Sequence, residues 1–275
     1  NMVAVDRTTT RSISFSRKSR LLCATALVGV LLPLTTAQAQ NVRYAETGTY
    51  NNDIVAPYRG TATVSTAEDT VATYVGNLTF QEAASLFVGD RALDNGTIVF
   101  APESISSPVP APGTVITLGQ LQLRAGTLRF GNAVGREFFA RENTNIVISG
   151  GTLDLAGADQ HIHNLVATTN QSLTNSTVDT VAVLSLTTGS IQQGLNDGAG
   201  SIRLRKTGSG TLTVDGANSF SGGTEIAYGT VRMLDARALG SGAIAFNSNG
   251  PSASGLSFLL RNEAAAVEND LIISG

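Results

Sequence analysis

Residues 204–246 read LRKTGSGTLTVDGANSFSGGTEIAYGTVRMLDARALGSGAIAF, and this stretch decides how the chain is expected to fold. It is rich in Gly, Thr and Ser, and its few charged residues form no obvious acid–base pair. Its apolar residues nevertheless alternate, as in Leu212 with Val214 and Val231 with Met233. Strict alternation is the pattern of a half-buried β-strand, because successive side chains point to opposite faces. The stretch therefore predicts several short strands rather than a linker.

A glycine–threonine–apolar unit opens most of the alternating runs along the chain. It occurs at Gly96, Gly126, Gly151, Gly210 and Gly229, and it also occurs at the exit of a proline-rich segment. The gap before Gly210 is long enough for two or three units that have lost the signature. Internal repeats of about 20 to 50 residues indicate solenoids, propellers or arrays. Short units with period-two strands favour a parallel β-helix, whose stacked coils bury a continuous apolar core.

The composition agrees with an all-β fold. The chain has 275 residues, of which 42% are hydrophobic and 14% charged, so it has enough apolar surface to build a core. It contains 29 Gly but no Trp, which favours short strands and tight turns. Corners are expected at glycines and at Asn218, Asn247 and Asn249. Proline-rich residues 101–113 predict an excursion from one continuous domain, and residues 81–94 a short helix.

The first 39 residues have a different character from the rest. Five basic residues precede an apolar run from Leu21 to Leu34, which is followed by small residues at Ala37 and Ala39. A basic region, a short apolar core and an A-x-A site are typical of a secretory signal peptide. We therefore expect residues 1–39 to be removed by cleavage between Ala39 and Gln40. Residues 40–275 would then form the mature β-helical region.

The expected mature region is acidic and has no cysteine. It keeps 13 basic and 20 acidic residues, which gives a formal charge of −7. An acidic exported chain is a poor candidate for binding nucleic acid or anionic membrane surfaces. Because the one cysteine of the chain belongs to the signal segment, no disulfide can stabilise the fold. Stability must come from hydrogen bonds and packing.

A longer motif runs through residues 202–243. It begins at Lys206 and is carried by residues expected to be structural: Gly208, Gly210, Thr211, Leu212, Gly216, Asn218, Phe220, Gly222, Gly223, Thr224, Gly229, Thr230, Leu239, Gly240 and Gly242. This ordered series resembles the passenger-associated strand repeat of bacterial autotransporters. Outside this motif, the chain resembles that family only in its general composition and strand pattern, without a residue-by-residue match.

The resemblance implies a right-handed parallel β-helix that forms the passenger of a Gram-negative surface protein. It implies export by the inner-membrane machinery, transit through the periplasm, and delivery to the cell surface or the medium. The partner for the last step would be an outer-membrane translocator barrel encoded beyond residue 275. It also implies a structural or adhesive role towards host or neighbouring-cell surface molecules, with no cofactor and no enzymatic activity.

The alternative hypothesis is a β-helix enzyme, a lyase or hydrolase that acts on polysaccharide. It would need several carboxylates on one face, and the evenly spaced Asp215, Glu225 and Asp235 are the candidates. His161 and His163 form an H-x-H that can contribute to metal sites, but the sequence offers no third ligand. No catalytic, cofactor-binding or metal-ligating residue is therefore assigned.

Production of the 275-residue chain in a Gram-negative host should yield an exported product that begins at Gln40. Signal peptidase requires small residues at the positions of Ala37 and Ala39. Ala39→Arg should therefore leave the precursor uncleaved. Intact-mass measurement of the exported fraction checks both outcomes. A product that retains residues 1–39 would show that this segment is not a signal peptide.

Overall fold

The computed structural model describes residues 40–90, 96–107, 119–168, 171–247, 257–260, 267 and 269–274. Ala39 and the remainder of the expected signal segment lie outside this part of the chain. The strands of the first half are β1 (Asn41–Tyr44), β2 (Gly48–Tyr50), β3 (Ile54–Ala56), β4 (Thr61–Thr66), β5 (Val71–Tyr74), β6 (Asn77–Phe80), β7 (Ser85–Val88), β8 (Thr97–Phe100), β9 (Ser104–Ser106), β10 (Gly119–Leu123) and β11 (Thr127–Phe130).

One helix, α1 (Ala133–Phe139), separates these strands from the rest of the described chain. The later strands are β12 (Thr144–Ile148), β13 (Gly151–Asp154), β14 (Gln160–Ala167), β15 (Gln171–Thr174), β16 (Val181–Ile191), β17 (Ser201–Lys206), β18 (Thr211–Val214), β19 (Thr224–Ile226), β20 (Thr230–Met233), β21 (Ile244–Asn247), β22 (Ser257–Leu260) and β23 (Leu271–Ser274). Within the described ranges, no helix is long and apolar enough to cross a membrane.

The strands form three stacks in which each strand pairs in parallel with strands one coil away. The first stack runs β1-β4-β7-β10-β12-β14-β16-β18-β20-β22. The second stack runs β2-β5-β8-β11-β13-β15. The third stack begins as β3-β6-β9 and, beyond α1, continues through the first halves of β14 and β16 into β17-β19-β21-β23. The chain visits the stacks in turn, so the predicted parallel β-solenoid is confirmed.

The core is built from rows of inward side chains that lie in register from coil to coil. In the first stack one row contains Ala62, Leu86, Leu121, Ile146, Leu165, Gly189, Leu212 and Val231. Its neighbour contains Val64, Val88, Leu123, Ile148, Ala167, Ile191, Val214 and Met233. Apart from Gly189, all of these residues are buried. A single coil cannot bury such a row, so each coil depends on its neighbours.

The glycine–threonine–apolar units do not all mark the same place in a coil. Thr97, Thr127 and Thr152 lie in register at the start of second-stack strands. Thr211 and Thr230 lie in register in the first stack instead. The gap between Gly151 and Gly210 is long because strands β15 and β16 continue the coils without the glycine–threonine signature. When the signature returns at Gly210, it marks strands of the first stack rather than the second.

The helix predicted for residues 81–94 is wrong for the described residues up to Asp90. Ser85–Val88 is strand β7, which pairs with β4 on one side and β10 on the other. Leu86 and Val88 are buried while the residues between them face outward, so the period is two. Pairing on both sides outweighs the weak helical preference of the local sequence.

The helix that does form, α1, takes the place of a third-stack strand. The Asn132 side chain caps its first turn by accepting a hydrogen bond from the Gly135 N–H at 3.3 Å. Phe138 and Phe139 then enter the core, and the Phe138 ring stacks on Phe80 with centroids 5.4 Å apart. This aromatic packing replaces the strand ladder at that level.

The predicted excursion at residues 101–113 begins later than expected. Ser104–Ser106 is strand β9, which extends the third stack by pairing with β6. The excursion can therefore start only after β9, and three of its four prolines, from Pro108 onward, lie outside the described residues.

Leu121→Ala should lower the free energy of unfolding by about 2–5 kcal/mol, because it removes a fully buried side chain held between Leu86 and Ile146. The matched control is Gln120→Ala, one residue away on the outer face of the same strand, with an expected change below about 0.5 kcal/mol. Urea unfolding followed by circular dichroism measures both changes. Equal losses for the two variants would contradict the assigned register.

Candidate functional site

The motif that suggested a family spans two successive coils of the solenoid. In the first stack, Leu212 lies opposite Val231, and Val214 lies opposite Met233. In the third stack, Leu204 lies opposite Thr224, and Lys206 lies opposite Ile226. One motif therefore contains a third-stack strand, a corner, a first-stack strand and a connecting loop, followed by the same elements again.

The glycines of the motif sit where the backbone turns or where two coils approach closely. Five of them have positive φ: Gly208, Gly216, Gly223, Gly229 and Gly240. At Gly240 a Cβ would lie 2.2 Å from the Phe220 carbonyl oxygen, so a side chain is excluded there. Three more have no positive φ but leave no room for a Cβ beside the neighbouring coil: Gly210, Gly222 and Gly242.

The loops that replace second-stack strands in these coils are fixed by a buried asparagine and by apolar side chains. Asn218 accepts a hydrogen bond from the Leu195 N–H at 2.9 Å and donates one to the Ala238 carbonyl at 2.8 Å. It thus joins the coil before it to the coil after it. Phe220 and Leu239 are buried beside it. Thr224 donates its hydroxyl to the Leu239 carbonyl.

The expected role of asparagine at corners was wrong for the two residues that the structure describes. Neither Asn218 nor Asn247 has positive φ. Asn218 uses its amide to span coils, and Asn247 donates to a Glu225 carboxylate oxygen at 3.2 Å. Glycine takes the corners because it adopts positive φ without strain. Asn249 lies outside the described residues.

A fully buried lysine is the least expected feature of the motif. Lys206 occupies an inward position between Leu186 and Ile226. Its Nζ donates to the carbonyl oxygens of Thr207 at 2.6 Å, Gly208 at 2.7 Å and Tyr228 at 3.2 Å. Burial lowers the pKa of this ammonium to about 8. The three carbonyl oxygens supply the partners that a buried cation needs.

The position of Gly229 makes the ammonium site possible. A Cβ at Gly229 would lie 2.3 Å from the Gly208 carbonyl oxygen and 2.7 Å from Lys206 Nζ. The absence of a side chain there leaves the space that the ammonium and its acceptors occupy. Lys206, Gly208 and Gly229 thus form one site, and nothing in the sequence pattern linked them.

The outer face of the third stack carries a groove of about 330 Å³ beside this buried site. Arg203 and Glu225 line the groove with Asn247 and Ile272. Arg205 lies next to it and pairs with Glu225, its Nε 3.3 Å from a carboxylate oxygen. Charged side chains of both signs therefore border this open depression.

The three carboxylates considered for catalysis each have a local partner. Asp215 accepts from the Gly216 N–H at 2.7 Å, and Asp235 accepts from the Arg237 N–H at 2.8 Å. Glu225 faces out from the middle of β19, whereas Asp215 and Asp235 follow the first-stack strands β18 and β20. The expected candidates are therefore divided between two stacks.

Sequence reasoning missed a buried carboxylate, Asp154. Burial opposes its ionisation, but hydrogen bonds from Ser176, from the Ala156 N–H and from Arg129 outweigh burial and lower its pKa. The Arg129 Nε lies 2.7 Å from a carboxylate oxygen. Because Asp154 accepts hydrogen bonds from its own coil and from both neighbouring coils, its arrangement is that of a structural anchor.

Among the residues that the structure describes, the two histidines do not lie in a metal cluster. His161 is exposed on β14, and its Nε2 lies 3.0 Å from the Thr187 hydroxyl. Partial desolvation of the ring, together with the charges of His163 and Arg205, lowers the pKa of His161. The described part of the chain contains no group of three or more His, Cys, Asp or Glu side chains arranged to hold a metal ion.

Comparison with known proteins agrees with the geometry. The fold defines the chain as a parallel β-solenoid that carries a motif two coils long. The family model described as the passenger-associated-transport-repeat matches residues 204–233, which run from the end of β17 to the end of β20. The repeat and the solenoid fit the passenger of an autotransporter, a family of secreted or surface proteins of Gram-negative bacteria. Neither the curated proteins nor the solved structures include a match.

The pH dependence of stability should reveal Lys206. Its pKa falls from 10.5 to about 8 on folding, so the unfolded state binds more protons between those values. The free energy of unfolding should therefore rise from pH 8 towards pH 10, by up to about 1.4 kcal/mol per pH unit. Below pH 8 both states carry the proton, and this contribution should be flat.

Lys206→Met is the matched variant, because it keeps an apolar stem and removes the ammonium. Urea unfolding between pH 7 and 9.5 should show the rise in the original chain and not in the variant. Tyr44 and Tyr74 do not confuse the result in this range, since burial raises the pKa of both above the ordinary value of 10. Parallel pH profiles for the two proteins would rule out a depressed lysine pKa.

Proposed function

We propose that this chain is a structural and adhesive passenger of an autotransporter, displayed at the surface of a Gram-negative cell without enzymatic activity. The observation that carries the proposal is the repeat at residues 204–233, whose two copies of each element stack in register. A family signature that coincides with two physical coils of a solenoid is more specific than either feature alone.

The way in which the solenoid is stabilised supports delivery as an unfolded chain. Every described strand pair is parallel and joins neighbouring coils, so coils can form one after another as the chain emerges. The region after residue 39 has no cysteine, so no disulfide would have to be opened or formed on the way. We propose the inner-membrane export machinery and an outer-membrane translocator barrel as its partners in transport.

The outer surface supports a contact role. On the third stack, Asp53, Asn77 and Ser104 form a hydrogen-bonded ladder, with Asn77 Nδ2 3.0 Å from an Asp53 oxygen. Thr79 and Ser106 form a second ladder beside it. Ladders of short polar side chains offer repeated donors and acceptors along the solenoid. Molecules at the surface of a host or a neighbouring cell are the proposed targets.

Display and adhesion can be tested together in a Gram-negative host. The full chain is joined ahead of an autotransporter translocator barrel, and intact cells are treated with protease. The chain should be cleaved on intact cells, and its cells should settle faster than cells that display the barrel alone. Both outcomes follow if the solenoid reaches the surface and presents its polar ladders to other cells.

A folding-defective variant supplies the control. Gly240→Val places a side chain where even a Cβ meets the Phe220 carbonyl oxygen at 2.2 Å, so the coil should not close. Gly48→Ala is the matched benign change, since its Cβ has no neighbour closer than 3.8 Å. Failure of the original chain to reach the surface would refute the passenger role. Display without faster settling would refute adhesion alone.

A further inference from the structure

The outer groove on the third stack is lined by one arginine and lies next to a second on the same strand face. Arg203 and Arg205 are two residues apart on β17, and both are exposed. Arg203 Nε donates to the Gly222 carbonyl at 3.1 Å, and Arg205 Nε lies 3.3 Å from a Glu225 oxygen. A guanidinium has five N–H donors, and both of these contacts are made through Nε. Both planar groups are thus held in place with donors to spare.

The rest of the groove has the shape and chemistry of a saccharide site. Its base is formed by small residues, including Gly223, Ala243 and Ala245, so a flat ring can approach the sheet. Ile272 is 51% exposed at one side and offers an apolar contact for the C–H face of a sugar. Glu225 and Asn247 border it with oxygen and nitrogen atoms that can bond hydroxyl groups. A volume of about 330 Å³ suits one or two sugar units.

The charges select an acidic sugar. Two arginines face one carboxylate here, whereas residues 40–275 carry a formal charge of −7 overall. A planar guanidinium binds a carboxylate through two parallel hydrogen bonds, which lysine cannot reproduce. Glu225 would repel a densely charged polyanion such as nucleic acid, but it can bond the hydroxyls of a sugar with one carboxylate per ring.

We propose that this groove binds a carboxylate-bearing sugar unit of an acidic polysaccharide through Arg203 and Arg205. The inference deepens the proposed adhesive function and rests on it, because it supplies the chemical class of the target. The groove lies on the two coils of the repeat and on the two coils that follow, so the stacking that defines the family motif also places the arginines on the same face as Glu225 and Asn247.

Binding is tested with the purified 275-residue chain and polygalacturonate by isothermal titration calorimetry. Fully methyl-esterified pectin has the same sugar backbone without free carboxylates and should bind at least about tenfold more weakly, since each lost charged hydrogen bond is worth about that factor. Binding of polygalacturonate should also weaken from 50 to about 500 mM salt, because the contacts are exposed ion pairs.

The variants locate the site. Arg203→Gln combined with Arg205→Gln should weaken binding at least about tenfold while the circular dichroism spectrum stays unchanged. Arg232→Gln is the matched control, because Arg232 is an arginine of the same repeat on the outer face of the first stack, and it should have no effect. Equal binding of the esterified polymer, or no loss in the double variant, would overturn the proposal.

Two further measurements distinguish a wrong ligand from a wrong passenger role. Double-stranded DNA should not compete for the groove, and competition that depends on the same arginines would replace the saccharide with nucleic acid as the ligand. Surface display does not require this site, so the double variant should reach the surface as the original chain does. If the original chain is displayed but does not bind polygalacturonate, the proposed ligand is refuted and the passenger role stands. If neither the original chain nor the double variant is displayed, the passenger role itself is refuted.

Discussion

Parallel pairing of each strand with the strand one coil away is the interaction on which the rest of the solenoid depends. It fixes the register, and the register places each inward side chain above and below its equivalents, as Leu121 lies between Leu86 and Ile146. Apolar burial is thereby shared between coils rather than completed within one. The corners, the loops and the helix α1 are arrangements that keep this pairing uninterrupted in at least two stacks at every level.

Much of the fold could be predicted because alternation is a local property. The inward faces of Leu128, Leu153, Leu212 and Val231 follow from residues two positions apart, and all four are buried. The stack to which a strand belongs cannot be predicted from the residues close to it in sequence. The same glycine–threonine opening starts second-stack strands early in the chain and first-stack strands in the repeat, because the stack depends on how many residues each coil has used.

The helix and the buried polar groups escaped prediction for a similar reason. Helix α1 is short, and its two phenylalanines gain their stability from rings such as Phe80, which lies far away in sequence. Asp154 and Lys206 look like ordinary surface residues until the coils stack around them. Each takes a partner from another coil, Ser176 for the first and Tyr228 for the second. The candidate groove likewise needs four successive coils in place before Arg203, Asn247 and Ile272 border one space.

The Lys206 ammonium links two successive coils of the solenoid. Two of its acceptors, Thr207 and Gly208, belong to its own corner, but the third, Tyr228, arrives with the following coil. Until that coil docks, the cation is one acceptor short and still open to water. Withdrawal of that coil would break this third hydrogen bond and return the ammonium to water. The two coils of the repeat are therefore coupled through a buried cation as well as through strand pairing, and each stabilises the other.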